Sequence, residues 1–332
     1  MAPPGDLGVT TRHRHTAAAS RTPHGLHLFA VVLAAATLAL IFVGGLVTST
    51  GSGLAVPDWP LSFGQFFPRM VGGVFYEHGH RMVAATVGAL TVAFAVATWL
   101  VESPPIVRRL ALAAIATVVA QGLLGGLTVL FLLPPAISSA HACLAQAFLC
   151  LTVALAVLTH PDWTPAPPTP ADPGLARLAA ATAAVVYGQL VLGAVMRHTG
   201  AGLAIPDFPL AFGRVVPPFE SAAVVVHFLH RLGALAVATL VLWTAARTVR
   251  THPAERAVVR PALLAVALVA AQITLGALTI WTRKAVLPTT AHVAIGAAIL
   301  GTTVVWALRA RRTAGATSGP TRALLATERA PA

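Results

Sequence analysis

Histidines recur in pairs along this chain, each pair in apolar surroundings where an imidazole has few ordinary uses. The first half carries Glu77-x-x-His80-Arg81 and later His141. The second carries His227-x-x-His230-Arg231 and later His292, offset by about 150 residues. A neutral imidazole is a strong metal ligand, and two of them on opposite faces of a porphyrin make a six-coordinate, low-spin iron. Polar side chains at membrane depth are costly, so four imidazoles at equivalent positions in two repeats mark sites rather than isolated hydrogen bonds between helices. The expectation is a pair of heme sites, His80 with His141 and His230 with His292. The chain has two cysteines, Cys143 and Cys150, both in one apolar stretch, so no Cys-x-x-Cys-His segment exists to attach heme covalently.

Glu77 occupies the place of His227, three residues before a ligand and on the same helical face. A carboxylate there is suited to accept protons from a reacting group, or else to pair with Arg81. Arg81 and Arg231 directly follow the ligands at the outer interface. Their guanidinium groups can meet heme propionates bidentately or snorkel to lipid phosphate. His78 has Phe228 as its counterpart and reads as incidental.

These side chains need elements to hold them. With 57% hydrophobic and 10% charged residues, and a mean hydropathy of +0.80, the chain is a polytopic membrane protein. Apolar stretches near residues 27–48, 80–101, 107–131, 137–159, 175–196, 223–245, 260–281 and 289–308 are long enough to span a bilayer. The fold class expected is all-α, with eight transmembrane helices as two pseudo-symmetric four-helix bundles. Residues 27–159 form the first bundle and 175–309 the second, with a linker over 160–174, a basic N-terminal tail over 1–26 and a disordered C-terminal tail over 310–332. The net charge of +12 lies between apolar segments and at the ends, which reads as an orientation signal and not as a nucleic-acid face. Both termini are placed in the cytoplasm, with Trp99, Trp243 and Trp306 at headgroup level on that side. All four histidines then fall at the starts of even-numbered helices, near the outer surface.

The loops after the first and fifth stretches are near-copies: Gly51-x-Gly53-Leu54-Ala55-x-Pro57-Asp58-Trp59-Pro60-Leu61-x-Phe63-Gly64 matches residues 200–213 at ten of fourteen positions. Proline and glycine at this density fix a compact turn, so each loop reads as a lid over its bundle. Asp58 and Asp207 read as turn caps. Gln121 through Thr128 also reappears, with changes, as Gln272 through Thr279, and its glycines permit close helix approach.

Taken together, Glu-x-x-His-Arg then His, His-x-x-His-Arg then His, and the paired Gly-Leu-Ala-x-Pro-Asp-aromatic-Pro loops resemble the heme A synthase family from about Leu28 to Ala310. The resemblance implies a substrate heme O in the first bundle facing His80 and His141, and a heme b ligated by His230 and His292 in the second. It implies Glu77 as the catalytic carboxylate and oxidation of the C8 methyl of heme O to a formyl by successive hydroxylation, with water supplying the oxygen, to make heme A for cytochrome oxidase. It places the chain in the plasma membrane and leaves room for a complex with heme O synthase or for a homo-oligomer. Many bacterial members carry a cysteine pair in the first outer loop; residues 49–76 hold none, so this chain has no loop thiol pair to pass electrons. A di-heme b-type electron-transfer cytochrome without chemistry of its own fits the same ligand spacing. A transporter would place its polar residues at mid-membrane, and a prenyltransferase would need clustered aspartates for magnesium, which the chain lacks.

Overall fold

The computed structural model describes residues 24–101, 103–161, 163 and 172–312. The two tails and the linker expected from the sequence fall largely outside these residues. Eight helices long and apolar enough to cross a membrane occur among the described residues, and no strand is found there. They are α1 (His24–Ser49), α2 (Gly73–Leu100), α3 (Pro105–Leu130), α4 (Pro135–Leu158), α5 (Pro173–His198), α6 (Ala222–Thr251), α7 (Arg256–Trp281) and α8 (Val286–Ala310). The chain is a multi-pass membrane protein.

Local chemistry sets the helix limits. Proline opens α3, α4 and α5, where its missing N–H removes a donor that has no partner in the first turn. Asp172 caps α5 by accepting from the Leu175 N–H at 2.8 Å and also pairs with Arg247 on α6. Within the spans, buried threonine hydroxyls donate back to carbonyls of the preceding turn, as Thr37 does to Leu33 and Thr91 to Val87, so they need no water. The α3–α4 and α7–α8 turns are alike in detail. Leu132 and Leu133 have φ of 60° and 60°, and Arg283 and Lys284 have 52° and 65°. The Leu133 N–H donates to Thr128 O and the Lys284 N–H to Thr279 O, both at 2.7 Å, closing the preceding helix each time.

Within the first half, the helices pack in the cyclic order α1, α2, α3, α4, and the second half repeats it as α5, α6, α7, α8. The halves meet through α1 on α8 and through α4 on both α5 and α8. Each half has its own apolar core. Leu33, Phe94, Ala114, Phe148 and Leu155 belong to the first, and Leu175, Val241, Ala265, Leu300 and Trp306 to the second. Both cores lie toward the end of the bundle remote from the four histidines. The histidine end is left for other contents.

Two expectations change. Helix α2 begins at Gly73, not near residue 80, because its first turns run on past the hydrocarbon edge to meet the lid loop. Trp99 and Trp243 are exposed, as an interfacial indole should be, but Trp306 is 0% exposed and belongs to the second core. Burial within the bundle outweighs an interfacial position for that ring.

Candidate functional site

Each histidine stands about two turns into its helix, on α2, α4, α6 or α8. Helices α2 and α4 occupy opposite corners of the first ring, as α6 and α8 do of the second, so each pair faces across a bundle interior. His80 and His141 are electrostatic neighbours, and so are His230 and His292. The pairing read from the sequence is the pairing the fold makes.

Four glycines shape these positions. A Cβ at Gly44 of α1 would lie 3.0 Å from His80 Cε1, at Gly125 of α3 3.1 Å from His141, at Gly193 of α5 3.0 Å from His230, and at Gly276 of α7 3.2 Å from His292. Every imidazole is thus packed against the bare backbone of the next helix, which restrains its ring without placing another side chain in the interior.

The hydrogen bonds on the rings divide the halves. On α8, His292 Nδ1 lies 3.2 Å from the Gln272 main-chain carbonyl, an acceptor only; that bond puts the proton on Nδ1, and the Nε2 lone pair faces the Gln272 carboxamide N–H at 3.2 Å. On α6, His230 Nδ1 meets the Gln189 carboxamide at 3.1 Å, and the two ends of an amide suit either tautomer. In the first half, Nδ1 of both His80 and His141 is buried without a partner, and His141 Nε2 lies 3.4 Å from the Gln121 carboxamide nitrogen. Leu40 replaces Gln189 there, and Val83 replaces Gly233, whose missing side chain makes room for the Gln189 amide. Neither glutamine–histidine contact to α6 nor the space for it stands out in the sequence. The paired change, Gln with Gly against Leu with Val, is the signal that could have found it.

A cavity of about 640 Å³ opens in the second half, lined by His230, His292, Gln189 and Gln272 and reaching the first half at Ser49 and Ala142. Its size is that of a cofactor pocket. Two imidazoles, an apolar wall and a basic rim fit a heme.

The loops close over the histidine ends as lids. Asp58 accepts from the N–H groups of Phe63 and Gly64 at 2.7 and 2.8 Å, and Asp207 from Phe212 and Gly213 at the same distances. They cap turns, as expected. The Gly64 N–H and then that of Phe63 hold the Asp58 carboxyl below its usual range, and Gly213 and Phe212 do so for Asp207. Because both are depressed, these tethers are intact at neutral pH and weaken only as pH falls below the ordinary carboxylate range.

Arg81 and Arg231 clamp these loops. Arg81 donates to the carbonyls of Asp58 (2.8 Å), Leu61 (2.9 Å) and Val56 (3.3 Å), and Arg231 to those of Leu210 (2.7 Å), Ile205 (3.3 Å) and Asp207. Arg231 also lines the cavity, with Nε unpaired. Glu77 is 4% exposed; one oxygen accepts from the Val56 N–H at 2.8 Å and the other pairs with Arg81 at 2.7 Å. At the equivalent place, His227 Nδ1 accepts from the Ile205 N–H at 3.2 Å. His78 is not incidental. Its Nδ1 meets Ser62 Oγ of the lid at 2.8 Å, a contact that Phe228 and Ala211 replace with apolar packing in the second half.

The family profile described as COX15-CtaA, cytochrome oxidase assembly protein, matches residues 71–304, which take in all four histidines and Glu77. The chain belongs to this family. It is 36% identical over 271 residues to a protein of Symbiobacterium thermophilum named heme A synthase, covering 76% of this chain and 85% of that one. Proteins of the same name from Shouchella clausii (32% over 268 residues; 79% and 89% covered) and Halalkalibacterium halodurans (31% over 257 residues; 76% and 85% covered) are similar along the same length. Against this cytochrome oxidase assembly family, the free thiols of Cys143 and Cys150 both lie on α4, within the bundle and away from the loops.

One lid contact gives a test of the first half. A Cβ on Gly126 of α3 would fall 2.6 Å from a ring carbon of Trp59, so the indole lies directly on the glycine. The counterparts are Phe208 and Ala277, a smaller ring with a residue that has a Cβ. Gly126→Ala should therefore loosen the first lid, at a cost of roughly 1–3 kcal/mol for overpacking, and Trp59→Phe added to it should restore the lid. Hydrogen exchange of residues 51–64 is the measurement.

Proposed function

We propose that the protein is a heme A synthase, an oxidoreductase that converts heme O to heme A at the first-half site and keeps a heme b at the second. The observation that carries this division of labour is the state of Nδ1. Metal-ligating histidines almost always have the other ring nitrogen hydrogen-bonded, which raises ligand basicity and fixes orientation. His230 and His292 have such partners in Gln189 and Gln272; the His80 ring has none, and His141 meets Gln121 only through Nε2, at 3.4 Å. The second site is built for a resident cofactor and the first for a ligand that arrives and leaves.

Heme b, when bound, supplies one-electron transfer, for which a six-coordinate iron is suited. The chain's own residues do the rest. His80 and His141 would hold the porphyrin in the bundle interior beneath the lid. The lid, pinned by Arg81 and Asp58, limits access of bulk water. Turning a methyl and a water into a formyl releases protons and electrons in equal number, and Glu77, at the lid edge, takes protons. The site lies in the plasma membrane with both termini cytoplasmic and the lids outside, which leaves the linker side of the bundles free for heme O synthase or a second copy of the chain.

The test is pyridine hemochrome analysis of protein purified from a host that makes heme O. Heme B together with O or A is the expected result. Heme B alone would leave the di-heme electron-transfer cytochrome.

A further inference from the structure

The two halves differ most at the mouths of their sites. Around the second cavity stand Arg197 at the end of α5, Arg231 on α6, and Arg283 and Lys284 in the α7–α8 turn. Among the described residues, no acidic side chain lines that cavity. The counterparts in the first half are Thr48, Arg81, Leu132 and Leu133, and Arg81 is neutralised by Glu77. Backbone differences do not explain the contrast, because both turns have the same left-handed geometry and the same closing hydrogen bond. A turn that carries two leucines in one half carries two cations in the other.

Arg197 is the most constrained of the four. One of its terminal nitrogens donates to Ser49 Oγ at 2.9 Å and to the Gly45 carbonyl at 3.2 Å, both on α1 of the other half. Ser49 is held in turn by Thr290, two residues before His292, at 3.0 Å. These partners are neutral. A partly buried guanidinium with neutral partners only, beside a cavity with no acid, calls for an anion from outside the chain. Its planar fork suits a carboxylate in particular.

Resting on the reading that this cavity holds a heme, we propose that Arg197, Arg283 and Lys284 form a rim that binds the propionate carboxylates of the resident porphyrin. The absence of this rim from the first half, where Thr48, Leu132 and Leu133 stand, leaves a porphyrin there free to exchange. The rim, acting with the Nδ1 partners, sorts a kept cofactor from a passing substrate.

The experiment uses the full-length protein in detergent and follows transfer of heme to excess apomyoglobin. Arg197→Thr, and Arg283→Leu with Lys284→Leu, should each release heme roughly 10-fold faster than the wild type, the loss of about one charge-assisted bond. Before release, the low-spin spectrum should be unchanged, because the imidazoles are untouched. A second arm needs no variant: wild type reconstituted with hemin dimethyl ester, which lacks free carboxylates, should release it about as fast as the variants release hemin. Cations that serve lipid phosphate instead would make the ester and hemin leave wild type at one rate, and that result overturns the proposal. Equal hemin release from wild type and both variants would do so as well. Wild-type protein that carries no low-spin heme at all would instead refute the heme reading itself.

Discussion

Replacing His230 or His292 by alanine is expected to abolish the low-spin heme b spectrum of the purified protein, whereas His80→Ala and His141→Ala should keep it and lose heme O or A. The asymmetry follows from the hydrogen bonds on the rings. In the second half, each imidazole has its Nδ1 engaged and its Cε1 against a glycine, so both rings are oriented in advance. Removing one leaves a single axial nitrogen and a methyl-lined gap. Between these extremes, Gln189→Leu installs the residue that stands beside His80, and should weaken heme b binding by about 10–100-fold without removing a ligand. Heme titration of the apoprotein followed by optical spectroscopy reads all five variants. A normal heme b spectrum in both His230→Ala and His292→Ala would remove them as ligands.

The spans and the histidine pairs were legible because hydropathy and repetition are properties of the chain alone. Eight apolar stretches became eight helices, since a backbone in hydrocarbon has no other way to satisfy its polar groups within one segment. Asp58 and Asp207 were legible as caps because proline and glycine around them leave few alternatives to a tight turn. Contacts between distant segments were less visible. Gln121 and Gln272 head a repeated segment, and its small residues suggested packing; that Gln272 also serves His292 depends on how α7 and α8 meet. Gly44 is silent in the sequence, since one glycine in an apolar run carries no mark of the ring it faces. His78 reads as incidental against its counterpart Phe228, but Ser62 changes to Ala211 in step with it. Differences between the repeats, read in pairs, held more about the site than their identities did.

Glu77→Gln should reduce heme A formation by about 10²–10⁴-fold while leaving the heme b spectrum in place, the loss expected when a positioned proton acceptor is removed. The carboxylate has two jobs in the fold, so the variant alone does not separate them. Its oxygens anchor the lid through the Val56 N–H and pair with Arg81, and breaking a buried ion pair costs up to about 3–5 kcal/mol. Glutamine keeps the acceptor for Val56, and Arg81 keeps its three loop carbonyls, so most of the lid contacts survive. The second half supplies the decisive control. There a histidine at the same position accepts the loop N–H, with Ile205 donating to His227, and the lid above it has the same turn and the same aspartate cap. Glu77→His should therefore hold the first lid as His227 holds the second, with hydrogen exchange over residues 51–64 close to wild type. Heme A output, read by pyridine hemochrome from cells supplied with heme O, should nevertheless stay near the level of Glu77→Gln. Recovery of full output in Glu77→His would assign Glu77 to loop anchoring and leave the protons to another group. Persistent loss with an ordered lid would place the carboxylate in the reaction.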